Sequence, residues 1–253
     1  MTTSEISVII PTYNRRPEIF SRAFDSVLKQ TLLPKEIVVV DSGDVEEYSN
    51  SIKDIVESAS VDGVDVRYVR FEKRLNGSEA RNLGASYCSG SLYCFLDDDD
   101  EWYPDKLESQ VSLFTDDVGL VSSNYDLESE GKTFYEFCRR RDPNKEILGE
   151  NCLGCTSMAM ISASIFEELN GFDPKMRSNQ EWDLWIRTSK KTKIIQNDEK
   201  VGIKHDLNDS ISDFKIAVFK GGFRLIIKNA GSYLKHPRLL IKSSYLLLLN
   251  LLN

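Results

Sequence analysis

Short apolar, β-branched runs recur along the first half of the chain, each followed by a segment with helical spacing. Ile6–Ile10 (ISVII) is stopped by Pro11, Glu36–Val40 (EIVVV) ends at Asp41, and Ser91–Leu96 (SLYCFL) ends at Asp97. Between them, Pro17–Lys29 sets Ile19, Phe20, Ala23, Phe24, Val27 and Leu28 on one stripe. Val45–Ser58, Ser78–Tyr87 and Pro104–Phe114 also read as helices, with Ser78 as a cap and Pro104 in a first turn. Val64–Phe71 alternates as a more exposed strand, and Val118–Ser123 is a further strand. Fully apolar strands separated by amphipathic helices predict an α/β domain, a mostly parallel central sheet flanked by helices. Beyond residue 124 the pattern loosens. Tyr125–Asn151, with the basic run Arg139–Arg141, reads as loop with short strands. Thr156–Ser162 is apolar again, and Ala163–Leu169 is a helix closed by Asn170-Gly171. Glu181–Lys191 is an amphipathic helix, and Ile194–Ile195 and Val201–Lys204 are closing strands.

In such sheets ligands bind beyond the carboxyl ends of the strands. That rule brings Thr12, Tyr13 and Asn14, then Asp41 and Ser42, then Asp97 to Asp100 to one rim. Four consecutive aspartates after a core strand face both mutual repulsion and the cost of desolvation. Two readings answer this. A hard divalent cation takes carboxylate oxygens and shares a substrate diphosphate. Alternatively the turn is acidic and solvated, with Asp100 or Glu101 favouring the dipole of the next helix.

The net charge of −8 is uneven. Phe214 to Asn253 carries seven Lys/Arg and no Asp/Glu, whereas the preceding residues carry 25 basic and 40 acidic side chains. The split marks a boundary near residue 213. The strongly acidic main part and the lack of a binding motif argue against a nucleic-acid partner. The five cysteines include Cys152 and Cys155, but no second pair or histidine cluster completes a zinc site. Buried or free thiols in a reducing cytosol are expected, and the start shows no leader pattern.

Five blocks then occur in order: SVIIPTYNR (Ser7–Arg15), EIVVVDSGD (Glu36–Asp44), NGSEARNLG (Asn76–Gly84), FLDDDDEWYPDKL (Phe95–Leu107) and NGFDPKMRSNQEWDLWIR (Asn170–Arg187). Together they resemble an inverting glycosyltransferase of family 2, over roughly residues 5 to 212. The resemblance implies the Rossmann-like GT-A fold and an enzyme that moves one sugar from a nucleotide-sugar donor to an acceptor hydroxyl. UDP is the commonest nucleotide in that family, with GDP and dTDP as alternatives. It implies Mn2+ or Mg2+ as cofactor. By position, Pro11, Thr12 and Asn14 would lie near base and ribose, Asp41 would hydrogen-bond one of them, and Arg81 would reach toward the nucleotide. Asp97 to Asp99 match the DXD signature, with Asp98 near the ribose, Asp99 on metal and diphosphate, and Asp97 in support. Asp100 would point toward the sugar or cap the next helix. Asp41-Ser42 stands where many relatives carry two acidic residues. Gln180-Glu181 stands where the family usually has Glu-Asp. By position Glu181 is then the general base, with Asp183 its rival, although helical spacing turns Asp183 about 160° away. Trp182 and Trp185 fit either the core or an acceptor wall, and His205 would approach the metal or diphosphate. The Q-x-x-R-W motif of processive synthases does not occur.

The tail, residues 213–253 after a catalytic domain 1–212, reads as helical and basic. As one ideal helix at roughly 100° per residue, Lys220, Arg224, Lys228, Lys235, Arg238 and Lys242 fall within an arc of about 80°. Gly221-Gly222, Gly231 and Pro237 are expected breaks. The composition suits helices lying on an anionic membrane, and Tyr245–Leu252 is too short to span one. Attachment there fits a polyprenyl-linked glycan acceptor and a peripheral enzyme on the cytoplasmic face. The competing reading of the tail is a subdomain packed on the core, or a dimer contact. Two rival functions are a catalytically silent membrane scaffold and a sugar nucleotidyltransferase. The latter needs a glycine-rich loop after the first strand, which PTYNRR lacks.

Overall fold

A computed structural model describes residues 5–129, 132–136, 142–206 and 215–252. The chain runs through β1 (Ile6–Thr12), α1 (Pro17–Leu28), β2 (Glu36–Asp41), α2 (Glu46–Ser58), β3 (Asp65–Arg70), α3 (Gly77–Ser86) and β4 (Leu92–Phe95). It continues with β5 (Glu101–Trp102), α4 (Lys106–Val111), β6 (Val118–Ser129), β7 (Lys132–Glu136), α5 (Pro143–Glu146), β8 (Ala159–Ser162), α6 (Ala163–Glu168), α7 (Gln180–Ser189) and β9 (Lys193–His205). The tail forms α8 (Lys215–Lys228), α9 (Ala230–Lys235) and α10 (Pro237–Leu252). The basic run Arg139–Arg141 and the boundary near residue 213 lie outside the described residues.

Among the described residues the strands form one sheet in the order β3-β2-β1-β4-β8-β6-β9-β5, with β7 beside β6. The first four are parallel, as the apolar runs predict. The order reverses at β1, which has β2 on one side and β4 on the other. This is the switch point where ligands lodge in open α/β sheets. The second half is mixed: β8 is antiparallel to both β4 and β6, while β6 and β9 are parallel.

Alternate residues of the strands feed two apolar layers. Ile6, Val8, Ile10, Ile37 and Val39 meet Phe20, Phe24, Ile52 and Val56 of α1 and α2. Ile9, Tyr93, Phe95 and Ile161 meet Phe166, Phe172, Trp182 and Trp185 on the other face. Both tryptophans are thus core, Trp182 also donating from Nε1 to the Ile147 carbonyl at 2.6 Å.

Several expectations change. The cap of α3 is Asn76, not Ser78: its side chain accepts from Glu79 N while Glu79 returns the bond to Asn76 N, a reciprocal capping box. The helix expected over Pro104–Phe114 is confined to Lys106–Val111. The two closing strands are one, because irregular register against β6 carries β9 through the polar residues 196–200.

The tail is not one helix, so its six cations share no single arc. It breaks at Asn229 and before Pro237, and Gly221-Gly222 lies inside α8. There the two glycines serve close approach. A Cβ on Gly221 would stand 2.8 Å from the Ser178 carbonyl oxygen, and one on Gly222 would stand 2.0 Å from Leu247. Leu225 and Tyr233 join the core cluster beneath the sheet, and the Tyr233 hydroxyl donates to the Leu148 carbonyl. Lys228 pairs with Asp173 and Asp183, and Lys242 with Glu146 and Glu150. The tail thus has packing and ion-pair contacts with the α/β part of the chain.

Candidate active site

After β4 the chain turns sharply. The Asp100 amide donates to the Asp97 carbonyl, so the four aspartates form one reverse turn at the switch point. Two arginines and a lysine are set against them. Arg15, three residues beyond β1, donates from Nε to Asp98 and from a terminal nitrogen to Asp99, both at 2.9 Å. Arg81 of α3 pairs with Asp97 and also donates to Gln180 Oε1 at 3.0 Å. Lys204, near the end of β9, lies within electrostatic reach of Asp97, Asp99 and Asp100, which raise its pKa against the opposing effect of burial.

Burial pushes the Asp98 carboxyl up to about 6, against the pull of Arg15. Burial, with Asp97 and Asp99 nearby, pushes Asp100 up to about 7. Asp99 is raised for the same reasons, while Arg81 overcomes burial to hold Asp97 below the usual carboxylate range. Asp100 is buried and accepts from Ser157 Oγ at 2.5 Å and from the His205 amide at 3.3 Å. It ties the turn to the helical turn Thr156–Met158 just before β8 and to β9, and caps no helix.

Glu181 lies in the first turn of α7, beside Gln180. Its Oε1 accepts from Asn151 Nδ2 at 3.3 Å, and burial raises its pKa against the attraction of Arg81. Arg81 thus spans from the aspartate turn to the residue preceding Glu181. Asp183 lies elsewhere: its carboxylate is fully buried, 2.9 Å from both Arg187 Nε and Lys228 Nζ. This is an internal ion-pair cluster holding α7 to α8.

The other positions singled out by the motifs separate in the same way. Thr12, at the end of β1, sets its hydroxyl against the Asp98 carboxyl. Among the described residues Nε of Arg81 is a buried polar atom with no hydrogen-bond partner, which a ligand group at the rim would satisfy. Pro11, just before Thr12, stands opposite Val40 in the β1–β2 ladder, which runs on to Thr12 opposite Asp41. Asn14, at φ 51°, spends its amide on the β2 loop, accepting from the Asp44 and Val45 amides and donating to Asp44. Asp41 is buried, with Oδ1 taking the Gly43 amide at 2.7 Å and Arg70 at 3.1 Å, and Oδ2 taking Tyr68 at 2.6 Å. The His205 ring stands between Glu128, 3.2 Å from Nδ1, and Glu101, 3.7 Å from Nε2, and burial lowers its pKa.

The aspartate turn fits a hard divalent cation in its chemistry. Asp97 to Asp100 and Glu181 are five carboxylates facing three cations, Arg15, Arg81 and Lys204. If all five were ionised, two negative charges would be left over, which is the charge such an ion balances. The oxygens are not yet gathered for it: among the described residues no three His, Cys, Asp or Glu side chains stand ready as a cation cage. Arg15 holds Asp98 and also Asp99, the residue that the resemblance assigns to a metal. The sequence pattern does not single out Arg15 or Lys204, because their partners are far away in the chain. The one signal for Arg15 is a cation just beyond the first strand at the switch point.

A turn of acidic residues at the switch point of a half-parallel, half-mixed sheet, facing a carboxylate on a following helix, is the arrangement of a GT-A glycosyltransferase. The sequence pattern of glycosyl transferase family 2 matches residues 7–170, well over half the chain, and the chain belongs to that family. It is 27% identical over 200 residues to the amylovoran biosynthesis glycosyltransferase AmsB of Erwinia amylovora, covering 75% of this chain and 65% of that one. It is 31% identical to an uncharacterized glycosyltransferase of Rickettsia felis, covering 76% of this chain and 31% of that one. It is 26% identical to the UDP-Glc:alpha-D-GlcNAc-diphosphoundecaprenol beta-1,3-glucosyltransferase WfgD of Escherichia coli, covering 75% and 71%. Against the first two of these it therefore spans less than two thirds of their length. In fold it resembles the mannosyltransferase PcManGT of Pyrobaculum calidifontis, solved with GDP-Man and Mn2+, at a TM-score of 0.68, 19% identity and 95% and 73% coverage. It also resembles TarS 1-349 of S. aureus, at a TM-score of 0.65, 16% identity and 88% and 65% coverage.

Proposed function

We propose that the chain transfers a single sugar from a nucleoside diphosphate donor to a hydroxyl of a lipid-linked envelope glycan, with inversion at the anomeric carbon. The observation that carries this is the Arg81 guanidinium, which bridges Asp97 in the acidic turn and Gln180 beside Glu181. Donor side and base side are held by one residue. WfgD is named for a UDP-glucose donor and a diphosphoundecaprenol-linked acceptor, which supports the same classes for this chain.

Glu181 takes the proton of the acceptor hydroxyl as its oxygen bonds to the anomeric carbon. The bond from that carbon to the diphosphate breaks, and its electron pair leaves with the nucleoside diphosphate. The raised pKa of Glu181 makes it a stronger proton acceptor than a solvated carboxylate. Arg81 stands where it stabilises the departing charge, and Thr12 and Asp98 line the path of the ribose. Asp41 positions the base pocket through Tyr68 and Arg70. Asp99, with His205 near the same turn, would hold Mn2+ or Mg2+. When bound, that ion neutralises the diphosphate and lowers the energy of its departure. The same reading puts the enzyme on the cytoplasmic face of the membrane as a peripheral protein.

The test is transfer and donor hydrolysis across UDP-, GDP- and dTDP-sugars, with and without manganese. Glu181→Gln should bind donor as the parent does and lose transfer by roughly 10²–10⁴-fold. Parent-level transfer in that variant would sink the assignment of the base.

A further inference from the structure

The large apolar side chains that face solvent gather in the tail. Leu234 is 84% exposed, Ile241 70%, Ile227 60%, Tyr245 59%, Phe223 56% and Leu248 52%. Among the other described residues, only Val45, Phe71 and Tyr87 qualify, at 37%, 37% and 45%. On α10 the exposed stripe Ile241, Tyr245, Leu248 follows helical spacing from Arg238, and on α8 Phe223 and Ile227 are one turn apart. The two helices are in direct contact through Gly222 and Leu247, so the stripes lie on adjoining helices.

The charges around these side chains divide into two groups. Lys228 and Lys242 are spent on carboxylates of the catalytic part of the chain. Lys220, Arg224, Lys235 and Arg238 are exposed beside the apolar stripes, on a segment with no acidic residue from Phe214 to Asn253. An exposed apolar patch of this kind marks an interaction surface. A second copy presenting the same face would bring like charge against like. An anionic bilayer supplies both halves of the complement, acyl chains for the apolar stripe and lipid phosphates for the cations. The rest of the chain carries 15 more acidic than basic side chains and is repelled by the same surface, which leaves the tail as the approaching side.

We propose that α8, α9 and α10 form a docking face for an anionic lipid bilayer, seated by the exposed apolar stripes and held by Lys220, Arg224, Lys235 and Arg238. The face is tied to the base of the reaction from two directions. The α8 carbonyl of Val218 accepts from Asn179 Nδ2, two residues before Glu181. Lys242 of α10 pairs with Glu150, next to the Asn151 that contacts Glu181. Given the glycosyltransferase reading, the tail therefore sets Glu181 at a fixed relation to the membrane from which a lipid-linked acceptor arrives. No described helix is long and apolar enough to cross the bilayer, so the contact is along its surface.

Flotation of the full chain with vesicles tests this. The parent should bind phosphatidylcholine vesicles containing phosphatidylglycerol, less so at high salt, and should not bind phosphatidylcholine alone. The combined variant Ile241→Ser, Tyr245→Ser, Leu248→Ser should lose binding. The pair Lys235→Gln, Arg238→Gln should weaken it by roughly thirtyfold, at ~1 kcal/mol per basic residue. Both sets are solvent-facing and should keep the parent's circular dichroism melt and its donor hydrolysis in solution. Equal binding by parent and variants, or no binding by the parent, overturns the proposal. So does light scattering that shows a dimer in the parent and a monomer in the serine variant without any vesicle effect, since the face then joins two copies. If vesicle binding follows the expected pattern while no nucleotide sugar is hydrolysed, the docking face stands and the glycosyltransferase reading fails.

Discussion

The acidic turn and the basic tail each concentrate one sign of charge, but they handle it in opposite ways. The turn buries Asp98 and Asp100 and answers them with Arg15, Arg81 and Lys204. Its tension is internal, and raised carboxyl pKa values are its mark. Among its described side chains, the tail leaves Lys220, Arg224, Lys235 and Arg238 exposed and pairs Lys228 and Lys242 with carboxylates of the rest of the chain. Like charges held in a poorly solvated turn create a site for a countercharge. Like charges on an exposed face prepare a surface for a partner.

The comparison breaks most easily at the turn. Asp99→Ala should reduce metal-dependent transfer by about 10³-fold, read as turnover against manganese concentration. Retained turnover would mean the acidic run is only a solvated turn. At the tail, Lys228→Met removes one of the two cations facing the fully buried Asp183 and should lower unfolding free energy by about 3 kcal/mol in urea. No loss would show that the tail rests only loosely on α7. Gly221→Ala forces α8 off the Ser178 carbonyl and should cost about 1–2 kcal/mol by the same measurement. It should also reduce transfer more than donor hydrolysis, since the displaced segment leads into Glu181.

Two finer predictions sharpen the account of the turn. Arg15→Ala frees Asp98 and Asp99, so manganese should bind the nucleotide-free protein about tenfold more tightly by calorimetry. Weaker binding would make Arg15 a supporter of the metal site rather than its competitor. The pH dependence of stability follows from Asp98 at about 6 and Asp100 at about 7, both above their unfolded values. A raised carboxyl means that the native state holds protons the unfolded chain has released. Stability is then greatest below about pH 4 as far as these groups are concerned, and declines as pH rises through 6 to 7. Asp100→Asn should flatten that decline in thermal melts between pH 5 and 8.

The parallel half of the sheet was legible because three of its four strands are short apolar runs followed by a polar residue, at Thr12, Asp41 and Asp97, and the fourth, β3, alternates. The mixed half was not, because β9 crosses the polar segment 196–200 by irregular pairing with β6, which no local pattern reveals. The position of Glu181 was readable from its block, and so was the acidic turn. The partners that decide their chemistry were not. Arg15 reaches Asp98 across 83 residues, and Lys228 reaches Asp183 across 45. In the tail, Gly221-Gly222 looked like a helix break because glycine is a poor helix former. Tertiary packing overrode that propensity: one glycine admits the loop before α7, the other admits Leu247.

That glycine pair bears on how members of this family exchange parts. A C-terminal segment grafted from a relative must present hydrogen where Gly221 meets Ser178 and again where Gly222 meets Leu247. In a graft made at the end of β9, Gly222 and Leu247 travel together, so the fit that must be kept across the seam is that of Gly221 against Ser178.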